Sequence, residues 1–162
     1  MKRLIIFFLM IASCYSNAQS PVNSQPLIYD TSKIAIIPYH QDIPWINDYD
    51  VDSPADLTQQ DISDVKKIFE QSVTDHNNKI PDPVKKNPHY IIDLKNRDYK
   101  TQYVCTINRK NEKIVYVCCF CNLVGLPWRT SVFIAEEGNC FFTVKIDLIT
   151  KKYFDFSLDN LQ

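Results

Sequence analysis

Glycine occurs only twice in 162 residues, at Gly125 and Gly138. That scarcity excludes glycine-rich phosphate loops, dinucleotide-binding fingerprints and nucleophile elbows, which need glycines at fixed spacings. It also leaves most left-handed turn positions to asparagine, which tolerates positive φ better than other non-glycine residues. Positive charge is not in surplus either. Lys and Arg number 18 against 19 Asp and Glu, a formal net charge of −1, so bulk electrostatics does not draw the chain to nucleic acid. Histidine is confined to His40, His76 and His89, and none sits in a recognisable catalytic context. A cysteine nucleophile needs such a base. With no triad, metal-ligand spacing or cofactor motif in view, the sequence reads as non-enzymatic, with no cofactor and no metal.

The first 18 residues form a separate unit. Lys2 and Arg3 precede an apolar run from Leu4 to Ala12, and Ser16-Asn17-Ala18 follows, which is the three-part pattern of a secretory signal peptide. Two exits compete. Cleavage after Ala18 frees a chain beginning Gln19-Ser20, whereas Ile11-Ala12-Ser13-Cys14 resembles a lipobox, in which Cys14 is acylated and tethers the protein to a membrane. Either way the protein leaves the cytosol, as a periplasmic or secreted protein or as a membrane-anchored lipoprotein. Losing Lys2 and Arg3 leaves 16 basic residues against 19 acidic, or −3, in about 144 residues, which suits one domain.

Residues 19–33 mix serine, asparagine and proline and read as a flexible arm, so a single domain spans 34–162. Ile34 to Ile37, ended by Pro38, suits a short strand at an edge or strand end. Pro44-Trp45 and an acid-rich stretch follow. Asp48, Asp50 and Asp52 alternate as calcium ligands do, but Ser53 stands where the loop needs glycine and Gln59 where it needs glutamate, so the stretch reads as a solvated loop. The spacing then predicts a helix from Gln59 to about His76. Thr58 and Asp61 are placed to cap it, Leu57 and Ile62 to staple it, and Ile62, Val65, Ile68, Phe69 and Val73 share a face. Asn77-Asn78 offers a left-handed stop, backed by Pro81, Pro83 and Pro88.

Two hairpins are expected beyond the prolines. Tyr99–Asn108 and Lys113–Cys121 flank the charged tip Arg109-Lys110-Asn111-Glu112. If Asn111 is left-handed in a three-residue loop, Tyr103, Cys105, Val115, Val117, Cys119 and Cys121 share a face; an even loop puts Cys105 with Tyr116 and Cys118 instead. Asn122 to Thr130 connects onward, Ser131 to Ala135 can form a short strand, and Glu136-Glu137-Gly138 turns into the last hairpin. There, pairing Leu148 with Phe154 and Ile146 with Phe156 joins two apolar sets through an odd loop centred on Lys151.

Beyond Cys14 five cysteines remain, Cys105, Cys118, Cys119, Cys121 and Cys140, an odd number. Cys118 and Cys119 point to opposite strand faces, and Cys119 and Cys121 lie almost 7 Å apart along the strand, so the three do not bridge one another easily. A disulfide from Cys140 to Cys119 or Cys121 is the candidate, against buried free thiols behaving as small hydrophobes. Cys118-Cys119-Phe120-Cys121 is too tightly spaced for structural zinc.

Leu57 to Asn77, Tyr99 to Val117 with its Asn-Glu-Lys turn, Trp128, and Glu136-Glu137-Gly138-Asn139-Cys140-Phe141-Phe142-Thr143-Val144-Lys145-Ile146-Asp147-Leu148 together resemble a set of uncharacterised small exported proteins of Gram-negative bacteria. The likeness covers roughly the last two-thirds of the chain. Where that family usually has Asp-Gly-Gly-Asn, this chain has Glu136-Glu137-Gly138-Asn139, and the family implies no activity. The fold class is α+β: one long helix on a four- to five-stranded antiparallel meander, β-α-β-β-β-β. In architecture alone this is similar to the cystatins, which inhibit cysteine proteases through a Gln-x-Val-x-Gly hairpin and a Pro-Trp loop. Pro127-Trp128 is present here and the hairpin motif is not. The functional expectation is an exported binding or inhibitory module that meets a protein partner through loops bearing Trp45, Arg109, Lys110 and Trp128. The alternative is a small envelope protein with a structural, protective or immunity-type role. No nucleic acid is expected as partner, and a membrane only through a lipid at Cys14.

Overall fold

A computed structural model describes residues 29–40, 43, 46, 51–121, 125, 127–130 and 138–158. Cys14, Trp45, Asp48, Asp50 and the strand expected at Ser131 to Ala135 lie outside these residues.

Helix α1 runs Gln59–Lys79. The Thr58 hydroxyl accepts from the Asp61 amide at 3.1 Å, and the Thr58 amide donates to the Asp61 carboxylate at 2.9 Å, so two otherwise orphaned donors are satisfied. Ile62, Val65, Phe69, Ser72 and Val73 are buried, and Leu57 and Ile68 pack against the same core. Asn77 does not stop the helix as expected. Its side chain instead pairs with the Ile92 backbone, donating to the carbonyl at 2.8 Å and accepting from the amide at 3.0 Å. The helix therefore continues to Lys79, ends at Ile80 before Pro81, and is followed by a one-turn helix α2, Asp82–Lys85.

The sheet has six strands: β1 Ile34–Ile36, β2 Val51–Pro54, β3 Lys100–Asn108, β4 Lys113–Phe120, β5 Phe141–Asp147 and β6 Lys152–Leu158. It is mixed rather than the purely antiparallel meander expected. β1 runs parallel to β3, with Ile34 opposite Thr101, because the chain returns through α1 before pairing, as a parallel connection requires. β2, inside a stretch read as a solvated loop, pairs antiparallel with the far half of β3, from Thr106 to Asn108. One edge of β3 thus serves two strands in tandem, while β4, β5 and β6 follow in order on the other side. The expected flexible arm also ends early: Tyr29 packs on the core, and Asp30 accepts from the Ser32 amide at 2.8 Å in a short turn.

Asn111 takes the left-handed conformation, φ 62°, and Cys105 pairs with Val115, so the β3–β4 hairpin adopts the odd-loop register. The β5–β6 hairpin does not match expectation. Asp147 pairs with Lys152, leaving a four-residue loop, because the Asp147 carboxylate accepts from the Ile149 amide at 2.8 Å and from the Thr150 hydroxyl at 2.6 Å and nucleates its own turn. Ile146 therefore meets Tyr153, and Phe154 falls opposite Lys145 on the outer face, 40% exposed. A bulge then restores the apolar phase. Asp155, at φ 49°, and Phe156 together oppose Val144, which returns Phe156 and Leu158 to the inner face.

Both faces of the sheet are covered. Inside, Tyr103, Val115, Val117, Cys119, Phe142, Val144 and Ile146 pack under α1. Phe69, Phe142, Phe156 and His76 form a column of stacked rings at centroid spacings of 5.8, 5.6 and 4.8 Å. Outside, Val104, Ile114 and Tyr116 lie beneath Ala35, Ile37, Ile43 and Ile46, while Cys118, Phe120 and Phe141 gather beside Trp128. Double coverage explains why β3 and β4 are buried almost without alternation.

Candidate functional site

Of the anticipated recognition loops, those of Arg109–Lys110 and of Trp128 do not converge, and Trp45 lies outside the described residues. Arg109 and Lys110 are exposed at the β3–β4 tip, which Asn108 rigidifies by accepting from the Lys110 and Glu112 amides at 3.0 and 2.9 Å. Trp128 is half-buried rather than projecting. Its ring meets Phe120 edge-on at 6.1 Å, its carbonyl accepts from the Gln102 side chain, and Arg129 lies 5.0 Å above it. Gln102 and Asn108 are six residues apart on β3, so Trp128 and the Arg109–Lys110 tip stand about 20 Å apart at opposite ends of the sheet. Trp128 is a cover for the outer apolar cluster.

Among the cysteines, Cys121 and Cys140 are bonded, and Cys119 remains a free thiol in the inner core beside the Thr101 hydroxyl. Cys105 and Cys118 are buried as well and lie outside the disulfide. Burial pushes the Cys105 thiol up to about 11 and raises that of Cys119 further, so neither supplies a thiolate at neutral pH. The residue before the disulfide is a hub that sequence patterning missed. Asn139, 3% exposed, lies in a short 3-10 turn, Gly138–Cys140, and not in the strand expected to begin there. Its side-chain oxygen accepts from Arg97 at 2.6 Å, and its amide nitrogen donates to the Pro88 and Ile91 carbonyls. Its backbone donates to the His89 carbonyl at 3.2 Å and accepts from the Tyr99 hydroxyl at 2.7 Å.

The other end of the sheet brings distant cations together. The Leu148 amide donates to the Lys113 carbonyl at 3.0 Å, so the β3–β4 and β5–β6 tips lie side by side, their midlines about 10 Å apart by the strand spacing. α1 begins at the same end. Lys113 pairs with Asp61 at 2.7 Å and Lys151 with Asp64 at 2.6 Å. Burial pushes the Asp61 carboxyl up, but bonds from Lys113 and Thr58 outweigh it and hold it below the usual carboxylate range. The bond from Lys151 does the same for Asp64. Between α1 and the β5–β6 hairpin lies a groove of about 400 Å³ lined by Lys67, Ile68, Gln71, Lys151, Lys152 and Tyr153. Its lining carries three ammonium groups and no carboxylate. Tyr153 donates to Asp75 at 2.8 Å, which keeps that carboxyl ionised to low pH and raises the phenol. Ile149, at the adjoining tip, is 61% exposed.

A second cavity of about 590 Å³ separates α1 from residues 91–95. It mixes Glu70 and Asp93 with Lys95 over Val73, Ile92 and Leu94, and so selects no charge. Among the described residues no group of three His, Cys, Asp or Glu side chains is placed to hold a metal, and no helix is long and apolar enough to cross a membrane. Set against protein-family models, curated proteins and solved structures, the chain finds no match.

Proposed function

We propose that this is an exported, non-enzymatic binding module that engages a protein partner through the end of the sheet where the two hairpin tips meet. The observation that carries the reading is the adjacency of those tips. It brings the tip that carries Arg109 and Lys110 next to the tip that carries Ile149, Lys151 and Lys152, their midlines about 10 Å apart, each on backbone held by its own hydrogen bonds. Rigid tips lose little entropy on binding, and a mixed apolar and cationic surface is a common interface composition. The burial of Cys105 and Cys119, with thiols raised well above neutrality, favours a binding role over cysteine chemistry. An inhibitory role, which the cystatin-like order of helix and strands suggests, would use this end in place of the covered Trp128 loop.

The test is site-specific photocrosslinking in cells, with p-benzoylphenylalanine replacing Ile149 at the tip or Lys86 beyond α2. The expected result is one discrete protein adduct from position 149, competed away by unlabelled protein and absent from position 86. Equal labelling from both positions, or a catalytic turnover abolished by a single point change, would overturn the reading.

A further inference from the structure

We infer that the groove between α1 and the β5–β6 hairpin seats an acidic segment of the partner, with one apolar side chain of that segment on Ile68 and Tyr153 and flanking carboxylates on Lys67, Lys152 and the Arg109–Lys110 tip. This rests on the binding-module reading and adds the chemistry of what is bound. The groove lining holds no carboxylate, and of the acids around it Asp64 is engaged by Lys151 and Asp75 by Tyr153 and Gln71. Of the three lining ammonium groups Lys151 is held by Asp64, so an incoming carboxylate meets Lys67 and Lys152. The floor is apolar, so a lone inorganic anion would leave it uncovered, whereas a peptide carrying a leucine between acids uses floor and rim together. The site lies in an open depression between helix and hairpin, and vesicles test the bilayer alternative directly. A seven-residue extended segment reaches about 23 Å, more than twice the roughly 10 Å between the midlines of the two hairpins.

The experiment uses the mature chain, isotope-labelled for amide shift mapping, and the probe acetyl-Asp-Glu-Asp-Leu-Asp-Glu-Asp-amide. Shifts are expected at Lys67 to Gln71 and Thr150 to Tyr153, with affinity falling as salt is raised. Lys67→Glu with Lys152→Glu should weaken binding about tenfold, since two attractive pairs become repulsive, and replacing the probe's leucine by serine should weaken it by a similar factor. Both lysines are exposed, so the double variant should fold, which circular dichroism checks. The inference is overturned if a probe with lysine at every acidic position binds as well, if the shifts map elsewhere, or if phosphatidylglycerol vesicles perturb these residues while the peptide does not. If the peptide fails but the position-149 adduct forms, the partner chemistry is wrong and the binding reading stands; if both fail, both readings fall.

Discussion

Asn139→Ala removes one small buried side chain and three hydrogen bonds. The bond from Arg97 is charge-assisted, worth about 1.5–3 kcal/mol, and the two to the Pro88 and Ile91 carbonyls are ordinary ones worth about 1 kcal/mol each. The sum is about 3–5 kcal/mol, a large share of the 5–15 kcal/mol that typically separates folded from unfolded states. Asn139→Asp keeps an oxygen for Arg97 but sets its second carboxylate oxygen against the Pro88 and Ile91 carbonyls in a buried position, so its loss should be at least as large. Urea unfolding measures both. With a slope of about 1–3 kcal/mol per molar, the Ala variant should unfold at a midpoint lower by about 2 M, and the segment near Pro88 should gain fast amide exchange before the sheet does. A loss below about 1 kcal/mol would refute the hub, since it would mean that these groups find equivalent partners in water.

Two further outcomes follow from the same structure. The Cys121–Cys140 bridge joins residues 19 apart, for which chain entropy gives about 3 kcal/mol, so Cys121→Ser with Cys140→Ser should lower stability by about that amount; an unchanged urea midpoint after reduction of the parent would contradict this. His76 stacks on Phe156 with Nε2 buried and unpartnered, and burial, with a smaller effect from Lys79, holds its pKa below the usual 6.5. The unfolded chain then takes up the proton first as pH falls, so stability should be full above about pH 6.5 and decline below it, and His76→Phe should flatten that slope; a midpoint that rises on acidification from pH 7.5 to 5.5 would reverse the sign.

Local chemistry made α1 and the β3–β4 hairpin readable, because Thr58, Asp61 and Asn111 act on neighbours within a few residues. The β5–β6 register was misjudged although its signal was present, an aspartate three residues before a threonine. Alternation alone makes Asp147 a polar strand residue, whereas its carboxylate builds the turn. The bulge at Asp155 had no marker, since a left-handed aspartate looks like any other. Non-local features were hidden for a different reason. β1 and β3 pair across 67 residues, Lys151 and Asp64 meet across 87, and the side-chain partners of Asn139 lie 42 to 51 residues away. Periodicity carries no information about which distant segments meet. The groove inherits that blindness, because Lys67 and Lys152 are ordinary surface lysines until the hairpin folds against the helix.

Binding at this end of the molecule requires the two hairpin tips to be neighbours, and an amide NOESY spectrum reports that directly. A cross-peak between the Leu148 amide proton and the Ile114 α-proton, with slow exchange at the Leu148 amide, is expected from its bond to the Lys113 carbonyl. A rapidly exchanging Leu148 amide without that cross-peak would separate the tips and remove the basis for a shared cationic face.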